Sequence, residues 1–329
     1  MAISEEQESW AASRVGGLGG TDVAAILGLN KWRAPIEVWQ AKVAPESIPE
    51  IDSEILWFGR KLEPLIRERY AMRFGCEVTA PENIGTIFKK SRRWQDQTLV
   101  VGREPWMLGA ADGWISSVNC GLEVKNVGFK TSDWGPEGAD EIPAGYFCQC
   151  AWYNQVHDSH GWNVAPLFSG NRLSQYRVPR DGQLEKDMYE AARAFWFDYC
   201  VPKIEPPVDQ TESYGRYLAR KFSLSAGAII NNPSPELLQW ADEMKRADRD
   251  EDEAIERKRL ANNKLRDLVG NAQKAITPMG TIGWVRPEKK DVTDWFAVGK
   301  EVGPLHPEII EKHTGPMQRE AYLRAWWKK

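Results

Sequence analysis

Asp112, Glu123 and Lys125 stand where a folding chain has little reason to place charge. In "GLEVKNVG", residues 121–128, Glu123 and Lys125 lie two positions apart inside an apolar run. On a strand both would point to one face, and charged groups are rarely buried unless paired or bound to metal. Asp112 sits eleven positions before Glu123, in "LGAADGWI", between a strand-like run and Gly113, and Glu63 precedes a proline in "RKLEPLIRERY". If the segments around Asp112 and Glu123 are neighbouring strands joined by the turn "SSVNCG", the two carboxylates converge at one end of the pair and repel one another without a cation between them. Hard oxygen ligands of this kind select magnesium or manganese, which keep waters and bind phosphate oxygens. A lysine beside them could stabilise charge developing at phosphorus or lower the pKa of a water it contacts. Singly, Asp-Gly is ordinarily a turn and Glu-x-Lys a solvated strand edge. The order helix Glu, strand Asp, strand Glu-x-Lys outweighs that reading.

Several elements must hold these residues. In "FGRKLEPLIRERYAMRFG" the apolar Leu62, Leu65, Ile66, Tyr70 and Phe74 recur at helical spacing, which predicts a helix with Glu63 and Pro64 in its first turn and Gly75 at its C-terminal cap. "GGTDVAAILGLN" predicts a glycine-rich turn opening a short helix capped by Thr21 or Asp22, and "WRAPIEVWQAKV" a second helix. "CEVTAPENIGTIF", "TLVVGREPWMLGAADGWI" and "NCGLEVKNV" read as strands, "IPAGYFCQCAWYNQVHD" as a helix, and "WNVAPLFSGNRLSQYRVPR" as a strand pair. One sheet flanked by helices accommodates this order. The proline-rich "VPKIEPPVDQ" reads as a linker, dividing the chain into residues 1–209 and 210–329. Beyond it, Ser234-Pro235-Glu236 opens a long charged helix ending at Gly270. Leu237, Met244, Leu265 and Leu268 make a heptad-like stripe that Glu251 and Lys258 interrupt, favouring a surface helix or helical hairpin over a true coiled coil. "GTIGWVRPEK" and "HPEIIEKHTG" then suggest a strand and a short helix.

Composition bounds the rest. The chain has 329 residues, 27% charged and 42% hydrophobic, as an ordinary globular protein does. No apolar run approaches the roughly 20 residues needed to cross a bilayer, and the acidic start "MAISEEQESW" is unlike a signal peptide, so a cytoplasmic protein is expected. Five cysteines without a C-x-x-C pair favour reduced thiols over zinc or iron-sulfur ligation, and His157 with His160 lacks a carboxylate pattern for metal. The net charge of −4 splits unevenly: residues 210–329 hold 21 Lys and Arg against 18 Asp and Glu, leaving 22 against 29 in residues 1–209. Nucleic-acid binding therefore rests on local patches rather than on a global basic field. "FKKSRRWQDQ" is one such patch, where Lys89, Lys90, Arg92 and Arg93, with Trp94 for stacking, could touch DNA; its bland alternative is a solvated hairpin tip. Most of the 16 tryptophans read as core or interface residues.

The order Asp, then Glu-x-Lys, resembles the PD-(D/E)XK nuclease superfamily. The blocks "GGTDVAAILGLNKWRAPIEVWQAKV", "FGRKLEPLIRERYAMRFG", "LGAADGWI", "GLEVKNV" and "IPAGYFCQCAWYNQV" resemble, in that order, the YqaJ-like viral recombinases, the group that includes phage lambda exonuclease, over roughly residues 10–200. The tail is similar to C-terminal extensions in some members. The resemblance implies an α/β (α+β) fold, with a restriction-endonuclease-like core of mixed sheet flanked by helices and a mainly helical extension. It implies a metal-dependent 5′→3′ exonuclease that degrades one strand of linear double-stranded DNA to mononucleotides, using Mg2+ (or Mn2+) as a pair of ions, for phage-type recombination. It assigns Asp112, Glu123 and the backbone carbonyl of Val124 to metal, Glu63 to a metal or its waters, Lys125 to catalysis and Gln149 to positioning. Arg14 and Thr21, seven positions apart, resemble the pair that holds the terminal 5′-phosphate, with Tyr146 joining the DNA contacts. A single-strand annealing protein as partner, a homo-oligomeric ring around DNA, and a phage or prophage origin in a bacterial cytoplasm are further implications.

This chain departs from the family pattern in two places: "GAAD" replaces the common Ser-Pro before the motif aspartate, and Asn126-Val127 replaces Cys-Pro after Glu-x-Lys. Neither removes a ligand. Two rival functions stay open on the residues alone, an endonuclease or RecB-like nuclease of the same superfamily, and a non-catalytic DNA-binding recombination scaffold.

Overall fold

The structure, a computed structural model, describes residues 14–45, 54–94, 97–222 and 229–284. The chain divides into two compact units, residues 1–218 and 219–329. That split falls after Leu218 rather than after residue 209, because the helix following the prolines buries Tyr214 and Tyr217 in the core of the first unit.

The first unit is mixed α/β. Helices α1 (Gly20–Ile26), α2 (Pro35–Val43) and α3 (Glu54–Phe74) precede a three-stranded antiparallel sheet, β1 (Ser91–Trp94), β2 (Gln97–Val101) and β3 (Leu108–Gly109). The main sheet follows: β4 (Gly113–Ile115), β5 (Cys120–Val127), then, after α4 (Ala144–His157), β6 (Gly161–Phe168), β7 (Arg172–Leu173) and β8 (Tyr176–Pro179). β4 runs antiparallel to β5, β5 parallel to β6, and both β7 and β8 antiparallel to β6, giving the mixed sheet expected. α5 (Gly182–Phe195), prolonged by a π-helical turn Trp196–Cys200, and α6 (Glu212–Lys221) complete the unit.

A parallel pair needs a crossover, and α4 supplies it between β5 and β6. Both strands are buried along most of their length, as parallel strands covered on two faces must be. Gly121 is required at the centre: a Cβ there would stand 2.4 Å from the Trp162 ring, which lies across it from the next strand. On one face Leu122 and Val124 pack with Ile66 and Tyr70 of α3. On the other, Trp114, Trp152, Trp162 and Val164 join the larger core. His157 belongs to that core, stacked on Trp114 and edge-on to Phe88 and Trp162, and burial pushes its imidazole down to about 4.

Three local readings are corrected. "CEVTAPENIGTIF" is not a strand; Pro81–Thr86 forms a 3-10 turn and Thr79 alone makes a bridge, to Trp114, because Pro81 cannot donate and Asn83 and Gly85 favour turning. α3 begins at Glu54, so Glu63 and Pro64 lie in its interior rather than its first turn. α1 is capped by Gly19, whose N–H donates to Asp22 Oδ2 at 2.9 Å from the third helical position; neither Thr21 nor Asp22 is the cap.

In the second unit, α7 (Pro235–Val269) is one continuous helix of 35 residues, its N-cap Ser234 accepting from Leu237 N at 3.2 Å and Gly270 at its C-cap with φ 52°. It is not a hairpin. β9 (Lys274–Thr277) and β10 (Gly280–Gly283) form a short antiparallel ribbon beside it. The expected helix "HPEIIEKHTG" lies outside the described residues. Among the described residues no helix is long and apolar enough to cross a membrane.

Candidate active site

The β4–β5 pairing brings the separated carboxylates together. Gly113 aligns with Leu122, which places Asp112 beside the Glu123–Val124 peptide, and Asp112 Oδ2 accepts from Val124 N at 2.8 Å. Strand alternation turns Glu123 and Lys125 to the face opposite α3, where Gln149 of α4 waits. Glu123 is 2% exposed; its Oε1 accepts from Lys125 Nζ at 2.5 Å and from Gln149 Nε2 at 2.6 Å. Among the described residues its buried Oε2 has no hydrogen-bond partner. The Lys125 ammonium lies 5.1 Å from the Tyr146 ring centre, so Tyr146 helps to orient it.

α3 contributes Glu63 and, one turn later on the same face, Arg67. Arg67 Nη1 donates to the Asp112 carbonyl at 3.0 Å, tying the helix to the turn that carries the aspartate. Burial, then Glu123, pushes the Glu63 carboxyl up to about 7. Burial, then Glu123 and Glu63, pushes Asp112 well above the usual carboxylate range. Burial also works against the Lys125 charge, but Glu123 and Asp112 outweigh it and hold the ammonium above the ordinary lysine range. Three carboxylates thus share one lysine, and one buried oxygen is unsatisfied. Such a set fits a hard divalent cation, since an unpartnered buried carboxylate oxygen is otherwise costly. Among the described residues no group of three His, Cys, Asp or Glu converges tightly enough to form a complete protein cage. Magnesium does not require one, because it commonly uses one or two carboxylates and keeps its waters.

A second cluster adjoins the first. Gly20 of α1 approaches α4 so closely that a Cβ would stand 2.7 Å from the Gln149 carbonyl oxygen. The N-terminus of α1 is therefore pressed against the residue whose amide holds Glu123. Around that terminus Arg14 Nη2 reaches Thr21 Oγ1 at 3.4 Å. Asp22, fully buried, pairs with Arg33 through Oδ1 and with Lys42 Nζ at 2.8 Å through Oδ2. Burial opposes the Asp22 charge, yet Lys42, Arg33 and Arg14 together hold its carboxyl far below the usual range. The Arg14–Thr21 pairing was visible in the sequence; Asp22, read there only as a cap, and Arg33, Lys42 and Arg67 were not picked out as functional. Arg67 could have been, from its four-residue spacing to Glu63. The other three could not, because their charges are dispersed over 21 positions and meet only through the α1–α2 packing.

The remaining sequence assignments are not gathered here by any observed contact. Lys89 and Lys90 are exposed in the bend before β1. Arg92 and Arg93 lie on β1, but their side chains and that of Trp94 fall outside the described residues. Asn126, where the family pattern is not kept, is exposed past Lys125.

Residues 9–160, which contain both clusters, match the family model of the YqaJ-like viral recombinase domain. The uncharacterized protein YqaJ of Bacillus subtilis (strain 168) is 28% identical over 223 residues, 66% of this chain and 64% of that protein, so the alignment spans just under two thirds of the relative. Among solved structures, the alkaline exonuclease LHK-Exo from Laribacter hongkongensis is 18% identical and is covered completely by 67% of this chain, with a TM-score of 0.43. A phage related exonuclease from Haemophilus somnus 129PT is 13% identical over 55% of this chain and 94% of its own, with a TM-score of 0.38. By its sequence match, the chain is similar to the YqaJ-like viral recombinase domain family over residues 9–160.

Proposed function

We propose that this protein is a metal-dependent nuclease that digests one strand of linear duplex DNA from its 5′ end to mononucleotides. The observation that carries the reading is Glu123, buried, bonded through one oxygen to Lys125 and Gln149 and left unsatisfied at the other, beside Asp112 and Glu63. Asp112, Glu123, the Val124 carbonyl and Glu63 would hold magnesium, as a pair of ions. Magnesium, when bound, supplies Lewis-acid polarisation of the phosphoryl group and lowers the pKa of a coordinated water. Lys125 presents its ammonium to the scissile phosphate and stabilises the charge that develops there. Gln149 keeps Glu123 in one rotamer, and Tyr146 keeps Lys125 over the same point. Arg14, Thr21 and Arg33, at the N-terminus of α1, hold the terminal 5′-phosphate, for which guanidinium forks and a helix N-terminus are both suited. The product, duplex with a long 3′ single strand, is the substrate class that a strand-annealing partner consumes.

Linear 5′-phosphorylated duplex, linear 5′-hydroxyl duplex and closed circular DNA, each incubated with magnesium and again with chelator, test the reading. Mononucleotides are expected from linear DNA only, and only with metal. Arg14→Ala is expected to erase any preference for phosphorylated ends. Cutting of the circle would replace the exonuclease with an endonuclease; an undiminished end preference would remove Arg14 from the phosphate site.

The elevated Glu63 carboxyl adds a pH test. Its folded value of about 7 lies above the ordinary 4.5, so between these values the folded state holds a proton that the unfolded state releases, and stability falls as pH rises. His157 acts oppositely: its folded value of about 4 lies below the ordinary 6.5, and stability rises through that window. Comparing wild type with Glu63→Gln isolates the carboxylate. In chelator, Glu63→Gln is expected to gain more thermal stability over wild type at pH 8 than at pH 5, and magnesium is expected to narrow the gap by favouring the ionised wild-type site. A pH-independent difference between the two proteins would contradict this.

A further inference from the structure

α7 has no buried residue along its whole length, yet it is not polar all round. Leu237, Trp240, Met244, Leu265 and Leu268 are all exposed on it. With Leu237 at an a position, the a series reads Leu237, Met244, Glu251, Lys258, Leu265, and the d series Trp240, Ala247, Ala254, Ala261, Leu268. This is a seam with large apolar groups at both ends and alanines in the middle, broken at a by one acid and one base. Such a seam is normally covered by another helix.

The charges say which helix. Residues 235–252 hold seven Asp and Glu against three Lys and Arg, whereas residues 253–269 hold three against five. The macrodipole accounts for such a bias only in the terminal turns, and here the strongest acidic run, Asp250 to Glu253, is mid-helix. We propose that two copies of this chain pair through α7 in antiparallel orientation. Full overlap of the helices sets Leu237 against the partner's Leu268, Trp240 against the partner's Leu265, and Met244 against the partner's Ala261. Glu251 and Lys258 then each face an alanine, Ala254 and Ala247, and one copy's glutamate lies one layer from the other's lysine. The same register places the flanking g residues in complementary pairs, Glu243 with the partner's Lys264 and Asp250 with the partner's Arg257. A parallel pair would instead set Glu243 against Asp248, like against like, and would bury Glu251 on Glu251. Antiparallel pairing therefore sets opposite charges across the seam at these g positions and keeps Glu251 and Lys258 off like charges, which parallel pairing does not.

Disulfide trapping with the full chain tests both the pairing and its direction. Met244→Cys and Ala261→Cys proteins, carrying tags of different size, are oxidised separately and as a mixture, with wild type as control for its native thiols, of which only Cys76 is not buried. The expected result is a mixed disulfide dimer in the mixture, with each variant alone staying at the wild-type background. Dimers from each variant alone would show a parallel pair and overturn the proposal. No trapped species in any sample would overturn it as well, since the seam would then be covered by something other than a second copy. Asp250→Arg is expected to reduce the mixed dimer, and Asp250→Arg with Arg257→Asp to restore it; the double variant separates lost pairing from lost folding of the helix.

Discussion

Lys125→Ala is expected to lower the rate of DNA hydrolysis by about a hundred- to a thousandfold, the loss typical when one positioned donor to a developing oxyanion is removed. The ammonium sits 2.5 Å from Glu123 Oε1 and 5.1 Å from the Tyr146 ring centre, so its position is set by two partners and would be reproduced by no neighbouring residue. Removal also strands a carboxylate that is 2% exposed, with Gln149 as the sole remaining donor to Oε1 among the contacts described. Breaking a buried pair from one side costs about 3–5 kcal/mol; the 22% exposure of the Lys125 side chain lets water reach the gap and brings the cost toward the lower end. Activity and thermal stability should therefore be measured together, with DNA binding as the sign of an intact fold. Binding near the wild-type level with turnover lost is the expected pattern. Turnover at the wild-type rate would sink the proposed mechanism.

Asp22→Ala is expected to be the most destabilising single change outside the catalytic cluster. Asp22 is fully buried, accepts from Gly19 N at 2.9 Å and Lys42 Nζ at 2.8 Å, and pairs with Arg33. Truncation leaves the Lys42 side chain, 4% exposed, without its carboxylate and opens the cap of α1. The cost is about 3–5 kcal/mol for the stranded charge, which for a unit of this size corresponds to a fall in Tm of roughly 6–20 °C. Burial already pulls the Lys42 ammonium down, so shedding its proton limits the loss. Since the Asp22 carboxyl lies below its ordinary range when folded, its contribution is present at neutral pH and is lost only in strong acid, below about 4. Arg33→Ala, by contrast, leaves Asp22 paired with Lys42 and bonded to Gly19 N, so it should cost less stability than Asp22→Ala while weakening capture of phosphorylated ends. A change in Tm of less than 2 °C for Asp22→Ala would mean that the cage is not holding α1.

Glu123 and Lys125 show what a strand pattern can convey. Their shared face follows from the two-residue repeat of a strand, whatever the sheet around it, and the apolar Leu122 and Val124 that alternate with them mark the face that packs on α3. The α3 stripe of Ile66 and Tyr70 was legible from the helical repeat instead, and both residues do pack on β5. The start of α3 was not legible. Pro64 suits a first turn by its missing N–H, but the helix reaches back to Glu54 and tolerates the proline inside. The 3-10 turn at Pro81–Thr86 escaped because apolar residues flank it at strand-like spacing, while the proline and glycine within it control the backbone.

Residue order alone carries the local and periodic features: which residues share a strand face or a helix stripe, where Ser234 and Gly270 begin and end α7, and which ionisable groups have no apolar reason to be present. Only the packing of the folded chain makes the buried, half-satisfied Glu123 meet Asp112, Glu63 and Gln149, and sets Arg33 and Lys42 around Asp22. Such meetings depend on strand register and on close approaches such as Gly20 against Gln149, where the absence of one methyl group sets the distance between two helices. Contacts of that kind join residues far apart in the chain, and no repeat in the sequence encodes them.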